Sequence, residues 1–213
     1  MYKLPKLEME SESTQRRQRK RCPGDGVTTA LNRLCPLILK NGNVRLLVNC
    51  FRDGGSDTTY LNDNLVEELG VRGRKEPVIV NVANDQRVKF MSMSFQVGLE
   101  SIDGEVNRIT SAKTSQKICG GMKPINWLKI KHKWSHLRDI PFPELPQRRT
   151  IDVLLGADNH ELMTTIKEVP GDVDEPSARL CPLGGTAIGR IDKEDSGGNY
   201  HNGFLRTLRI HQS

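Results

Sequence analysis

The residues of this chain best placed to do chemistry form the segment Asp53-Gly54-Gly55-Ser56. It lies between an apolar run that ends at Phe51 and a second run, from Thr58 to Leu61, rich in β-branched and aromatic residues. Together these predict a strand, a tight turn and a second strand. Two glycines permit a sharp turn and the close approach of a ligand or another chain. Asp53 is therefore either a turn residue that bonds its own backbone or a carboxylate presented for acid–base work.

A second motif lies about a hundred residues downstream, in the short apolar run Ile151-Asp152-Val153-Leu154-Leu155-Gly156-Ala157-Asp158. A run of this length that ends in glycine predicts a buried strand whose glycine meets another backbone. The two motifs together favour the functional interpretation of Asp53 over an isolated turn.

The pair of motifs resembles that of the retropepsin-like aspartic peptidases, in which a strand-Asp-x-Gly-Ser turn precedes a hydrophobic-hydrophobic-Gly-x-Asp segment. The order of several shorter motifs resembles more closely the peptidase segment of Pao/BEL-type retrotransposon polyproteins, over roughly residues 37–190. The motifs that carry this resemblance are Asp53 to Leu69, Ile118-Cys119-Gly120, Pro124-Ile125-Asn126-Trp127, Trp134, Asp139-Ile140-Pro141, Ile151 to Asp158 and Pro182-Leu183-Gly184.

The resemblance implies a mainly β fold, a closed retropepsin-like β-barrel lobe with short helices. It implies an aspartic endopeptidase that cleaves its own polyprotein without metal or cofactor, in the cytoplasm or in virus-like particles. Asp53 would be catalytic, and Gly54, Gly55 and Ser56 would shape the active-site turn. The strand residues Leu154, Leu155 and Gly156 would support that turn, and the resemblance gives Asp152 and Asp158 structural roles.

Such a peptidase uses two carboxylates close enough to share one proton, one acting as acid and the other as base toward a bound water. This chain offers one credible aspartate turn, so the enzymatic hypothesis requires a homodimer that brings Asp53 against its symmetry mate.

Three positions depart from the family's pattern. The family usually has Ser or Thr where this chain has Gly54, an apolar residue where it has Arg52, and Trp where it has Gly185. Strand alternation points Arg52 away from the Asp53 side, toward the core. The alternative function is therefore a catalytically inactive module of the same fold that serves in dimerisation or RNA contact.

The hairpin predicted from Val78 to Phe95 has its tip at Ala83, Asn84, Asp85 and Gln86. In retropepsin-like enzymes this hairpin supplies a flap over the substrate, so these four residues are candidate substrate contacts. An ordinary surface hairpin is the alternative.

The chain divides into three parts by composition. Residues 1–29 are polar and predict a disordered arm. Its basic cluster could serve as a linker, as a nuclear-import signal or as a weak contact to RNA phosphates; the cluster comprises Arg16, Arg17, Arg19, Lys20 and Arg21. Residues 30–190 form the peptidase-like domain, and residues 191–213 predict a linker.

Within the domain, residues 120–150 predict a helical and proline-rich insertion. Trp127, Ile130, Trp134 and Leu137 share the spacing of one helical face, which favours packing against a core over stacking on nucleic acid. His132 and His136 also lie one turn apart, but the sequence gives them no third ligand. We expect both histidines to face solvent and no metal to bind.

Further short elements follow from local signals. Asn41-Gly42-Asn43 predicts a hairpin between strands 35–40 and 44–51, and Asn62 or Asp63 can begin a helix over 64–69 that ends at Gly70.

The overall composition limits the class of protein. Of the 213 residues 36% are hydrophobic and 5% aromatic, and the formal net charge is +6. No apolar run is long enough to span a membrane. Five cysteines without a C-x-x-C pair predict neither a disulfide framework nor a zinc site, and favour a reducing compartment.

Overall fold

The computed structural model describes residues 27–30, 33–82, 86–119, 122 and 124–192. Strands dominate these residues and the helices are short, which confirms the mainly β prediction. None of the helices within these ranges has the length and apolar character needed to cross a membrane. The strands are β1 Val27–Ala30, β2 Leu34–Asn41, β3 Val44–Arg52, β4 Tyr60–Asn62, β5 Arg74–Val82, β6 Gln86–Glu100, β7 Asn107–Ser115, β8 Val153–Leu155, β9 Lys167–Val169, β10 Ser177–Cys181 and β11 Gly184–Asp192.

The larger sheet closes on itself. Its strand order is β2-β3-β8-β4-β7-β6-β5, and β2 also pairs with β6 through Leu39 and Leu99. Six strands therefore form a ring, and β5 extends it as the hairpin partner of β6. Most neighbours are antiparallel, but β8 runs parallel to β3, and β4 runs parallel to β7.

The interior of the ring is filled by apolar side chains that come from every one of its six strands. They include the fully buried Leu37, Val48, Leu61, Leu99 and Leu155. Burying one such side chain stabilises the fold by about 1.5–3 kcal/mol, so this cluster fixes the strands that carry the candidate site.

The smaller sheet has the order β1-β11-β10-β9 and is antiparallel throughout. Val27 pairs with Asp192 at its end. The strands thus reach beyond the predicted boundaries at residues 30 and 190, because two short terminal segments satisfy each other's backbone groups. That pairing joins residues far apart in sequence, which local patterns do not reveal.

Several predicted local elements are present. The Asn-Gly turn joins β2 to β3, with Gly42 at φ +56°. Helix α1 spans Asn64–Leu69, ends at Gly70 with φ +63°, and begins where the Asn62 Oδ1 accepts a hydrogen bond from the Asn64 amide.

The predicted helix through residues 127–137 is broken. Helix α2 covers only Trp127–Ile130, and 3-10 turns follow at Lys131–Lys133 and Ser135–Leu137, with Trp134 extended between them. The packing prediction is confirmed, because Trp127 is buried and its ring lies 6.1 Å from Phe142 and 6.3 Å from Trp134.

The two histidines of this segment differ. His132 is exposed, as predicted, but the prediction for His136 was wrong. Its side chain is mostly buried, with Nε2 2.8 Å from the Pro176 carbonyl oxygen. The 3-10 turn places His136 beside the chain that leads into β10.

Candidate active site

The turn that carries Asp53 is held by the short buried strand β8. This strand pairs in parallel with the end of β3, Phe51 opposite Leu154 and Arg52 opposite Leu155. The Asp53 amide continues the ladder by donating to the Leu155 carbonyl oxygen at 2.9 Å. On its other side β8 pairs with β4, the strand that leaves the turn. One strand therefore fixes both the entry and the exit of the loop.

Inside the turn, the Asp53 side chain has one engaged oxygen. Its Oδ1 accepts a hydrogen bond from the Gly55 amide at 2.9 Å, and the Ser56 amide donates to the Asp53 carbonyl at 3.2 Å. No described residue donates to Oδ2, and the side chain is partly exposed. The turn interpretation is confirmed, because Asp53 closes its own turn through Oδ1. The acid–base interpretation stays a prediction.

Gly156 allows the loop and β8 to meet. A Cβ at this position would lie 2.5 Å from the Thr58 carbonyl carbon and oxygen, which is shorter than real side chains tolerate. Next to it, the Ala157 amide donates to the Ser56 carbonyl at 2.7 Å. The structure therefore brings Leu154, Leu155 and Gly156 against the Asp53 turn.

A polar cluster centred on Thr59 joins the loop to the chain after β8. Asp158 accepts hydrogen bonds from the Thr59 amide at 2.9 Å and from its hydroxyl at 2.7 Å. The Thr59 hydroxyl oxygen also accepts from the Gly156 amide at 3.1 Å and from the buried Asn159 side chain at 3.0 Å. Sequence reasoning missed Thr59 and Asn159, because their short polar side chains gain a role only once the two segments meet.

The Asp152 carboxylate also has partners within the fold, a backbone amide and an arginine. Its Oδ2 accepts from the Asn49 amide at 2.9 Å, and Oδ1 lies 3.4 Å from the Arg148 guanidinium. Burial raises the pKa of the Asp152 carboxyl, and its hydrogen bonds and Arg148 offset part of that effect. Neither this carboxylate nor Asp158 is free to act beside Asp53.

An apolar cluster lies at the base of the Asp53 turn. It includes Phe51, Tyr60, Val80 and Leu154, with Cys119 packed against it. Burial, followed by the negative charge of Asp53, raises the pKa of Cys119 to about 12, which places this thiol near the carboxylate. The Tyr60 hydroxyl is buried without a described hydrogen-bond partner, and burial raises its pKa.

The hairpin of β5 and β6 packs on this cluster through the inner faces of both strands, by way of Val78, Val80 and Phe90. The rings of Tyr60 and Phe90 are 6.4 Å apart. Of the four candidate tip residues, Gln86 is exposed at the start of β6, and Ala83, Asn84 and Asp85 lie outside the described residues. The basic cluster between Arg16 and Arg21 also lies outside the described residues.

Two of the three positions that depart from the family's pattern, Arg52 and Gly54, flank Asp53, and they differ in exposure to solvent. Gly54 is exposed, and a Cβ built there meets nothing within 4 Å. Arg52 is only 4% exposed, as strand alternation predicts, so its charge lies inside the protein.

Comparison with known proteins returned no match for this chain among protein-family models, curated proteins or solved structures.

Proposed function

We propose that this chain is one protomer of a homodimeric aspartic endopeptidase of the retropepsin-like, Pao/BEL retrotransposon type, and that Asp53 is its catalytic residue. The observation that carries the proposal is the Asp53 turn itself. It presents a carboxylate oxygen without a described donor, on a partly exposed residue in a loop fixed on both sides by β8. A rigid support of this kind is what a catalytic carboxylate needs to be positioned accurately.

The chemistry requires a second carboxylate. One aspartate accepts a proton from water as that water attacks the peptide carbonyl, while the other, protonated, polarises the carbonyl oxygen. Asp152 and Asp158 accept hydrogen bonds from backbone amides, so we do not assign either of them as the second carboxylate. The second carboxylate is then Asp53 of a second copy across a two-fold axis.

The substrate is an extended polypeptide, in the retrotransposon setting the chain's own polyprotein in the cytoplasm. The β5–β6 hairpin packs over the apolar cluster beside Asp53, which supports a covering role for its tip. The substrate backbone would bind in an extended form between hairpin and turn, as strand addition does in other peptide-binding proteins.

Cleavage of a mixed peptide library by the purified full-length chain between pH 4 and 7 tests this proposal. We expect cleavage to be favoured on the acid side of neutrality and to persist with a metal chelator present. Loss of cleavage on chelation, or on thiol alkylation with the fold intact, would assign the chemistry to other groups.

A catalytically inactive module of the same fold is the second candidate, and the observation that favours it is the missing hydroxyl at Gly54. In this alternative the chain folds and pairs but cleaves nothing under any condition of the library assay.

Substituting Gly54→Ser tests the role of the missing hydroxyl. Because a Cβ at this position meets open space, we expect the free energy of unfolding to change by less than about 0.5 kcal/mol. If the restored hydroxyl links the two turns of a dimer, one added hydrogen bond of about 1 kcal/mol raises the cleavage rate roughly fivefold. Unfolding midpoints and initial cleavage rates measure the two effects, and an unchanged rate contradicts the proposed link.

A further inference from the structure

A small cavity lies behind the candidate active site, between the end of β3 and the smaller sheet. Its volume is about 100 Å³, which is room for several water molecules. Three arginines reach it from different parts of the chain. The lining residues are Arg33, Arg52, Met163, Thr165, Arg179, Thr186, Ala187 and Ile188.

Of the three arginines, Arg52 is the buried one. Its Nε atom is shielded from solvent and has no hydrogen-bond partner, and no described carboxylate lies within ion-pair distance of its guanidinium. A charge removed from water without a partner destabilises a fold by several kcal/mol.

The ionisable groups on which Arg52 acts are thiols rather than carboxylates, and one of them, Cys181, also hydrogen-bonds to its side chain. The charge of Arg52 acts on the three buried thiols of Cys35, Cys50 and Cys181. Hydrogen bonding to Cys35, together with burial, raises the pKa of Cys50, and burial raises that of Cys181, so both thiols stay protonated near neutral pH. The pKa of Cys35 is lowered, chiefly by its hydrogen bond with Cys50.

The other two arginines add positive charge at the mouth of the cavity. Arg33 is exposed, and its carbonyl oxygen accepts a hydrogen bond from the Arg52 amide at 3.2 Å. Arg179 is partly balanced by Glu168, whose Oε1 lies 3.1 Å from Nε and 3.0 Å from the terminal guanidinium nitrogen. Among the described residues, no carboxylate forms an ion pair with Arg33 or Arg52.

We propose that this cavity is a binding site for a small oxyanion, either inorganic phosphate or sulfate or a carboxylate, held by the guanidinium of Arg52 with Arg33 at its entrance. The planar fork of an arginine donates two parallel hydrogen bonds to such an anion. A bound oxyanion supplies a negative charge beside Arg52, where no described carboxylate lies within ion-pair distance. The proposal is independent of Asp53, because the site lies on the opposite side of β3 and uses none of the turn residues.

Thermal unfolding of the full-length chain, at constant ionic strength set with sodium chloride, tests the site. We expect the unfolding midpoint to rise with phosphate concentration and to saturate in the millimolar range, by roughly 3–6 °C when phosphate is tenfold above its dissociation constant. Parallel titrations with sulfate and acetate show whether the site prefers a tetrahedral anion or a carboxylate.

Two variants make the result specific. Arg52→Met keeps the length of the side chain and removes its charge, so we expect it to raise the midpoint without phosphate and to abolish the saturable rise. Arg72→Met removes an exposed arginine that is not part of the cavity, and we expect the rise to persist. A saturable rise that survives in Arg52→Met, or no saturable rise in the parent chain, overturns the proposal. A linear rise common to all variants is the general salting-out effect of phosphate and also overturns it.

Discussion

Gly156→Ala is expected to destabilise the chain by about 3 kcal/mol or more and to lower the unfolding midpoint by roughly 6–12 °C. The added methyl group would lie 2.5 Å from the carbonyl carbon and oxygen of Thr58 and 2.9 Å from its nitrogen. All three are backbone atoms, so no side-chain rotation relieves the clash. Separation of the segments would also strain the Ala157–Ser56 hydrogen bond and the bonds around Thr59.

The matched control for this substitution is Gly54→Ala in the same loop. Its Cβ meets nothing within 4 Å, and we expect the free energy of unfolding to change by less than about 0.5 kcal/mol. Denaturant unfolding of both variants measures the difference. Equal stability of Gly156→Ala and the parent chain would mean that β8 and the Asp53 loop are not in close contact.

Asp53→Asn is expected to reduce peptide cleavage by about a thousandfold or more while leaving the fold intact. The asparagine carbonyl oxygen still accepts from the Gly55 amide, so the turn keeps its internal hydrogen bond. The variant loses the carboxylate that accepts a proton from the attacking water. Initial rates at the pH of maximal cleavage, together with unfolding midpoints, measure both effects.

Asp57→Asn is the charge-matched control for this loss. Asp57 is exposed four residues further along the same loop, so its replacement removes an equal charge near the site. We expect cleavage close to that of the parent chain. If both variants lose activity equally, the local negative charge matters and Asp53 has no special role.

The amino-acid sequence predicts the local part of this architecture well. The Asn-Gly turn specifies the β2–β3 hairpin because a primed turn needs positive φ, and Gly70 marks the end of α1 for a similar reason. The apolar run that ends at Gly156 predicts a buried strand at a close backbone approach, and the structure confirms it.

The parts that sequence reasoning missed depend on contacts between distant segments. Strand β1 forms because it pairs with the last residues of β11, whose first residues pair with β10. The polar cluster of Thr59, Asp158 and Asn159 exists because two loops meet beside Gly156. The break at Trp134 replaces a periodic helix, and the Trp134 ring there packs against Trp127, which in turn stacks on Phe142. Such tertiary packing can outweigh local helical preference.

The central claim is that two copies of Asp53 form one active site, and mixing the parent chain with Asp53→Asn tests it most directly. Total protein concentration is held constant while half of the parent chain is replaced by the variant and the subunits exchange. If only dimers with two aspartates cleave, random pairing leaves about one quarter of the original rate. A rate of about one half would show that each chain acts alone and would contradict the shared carboxylate pair.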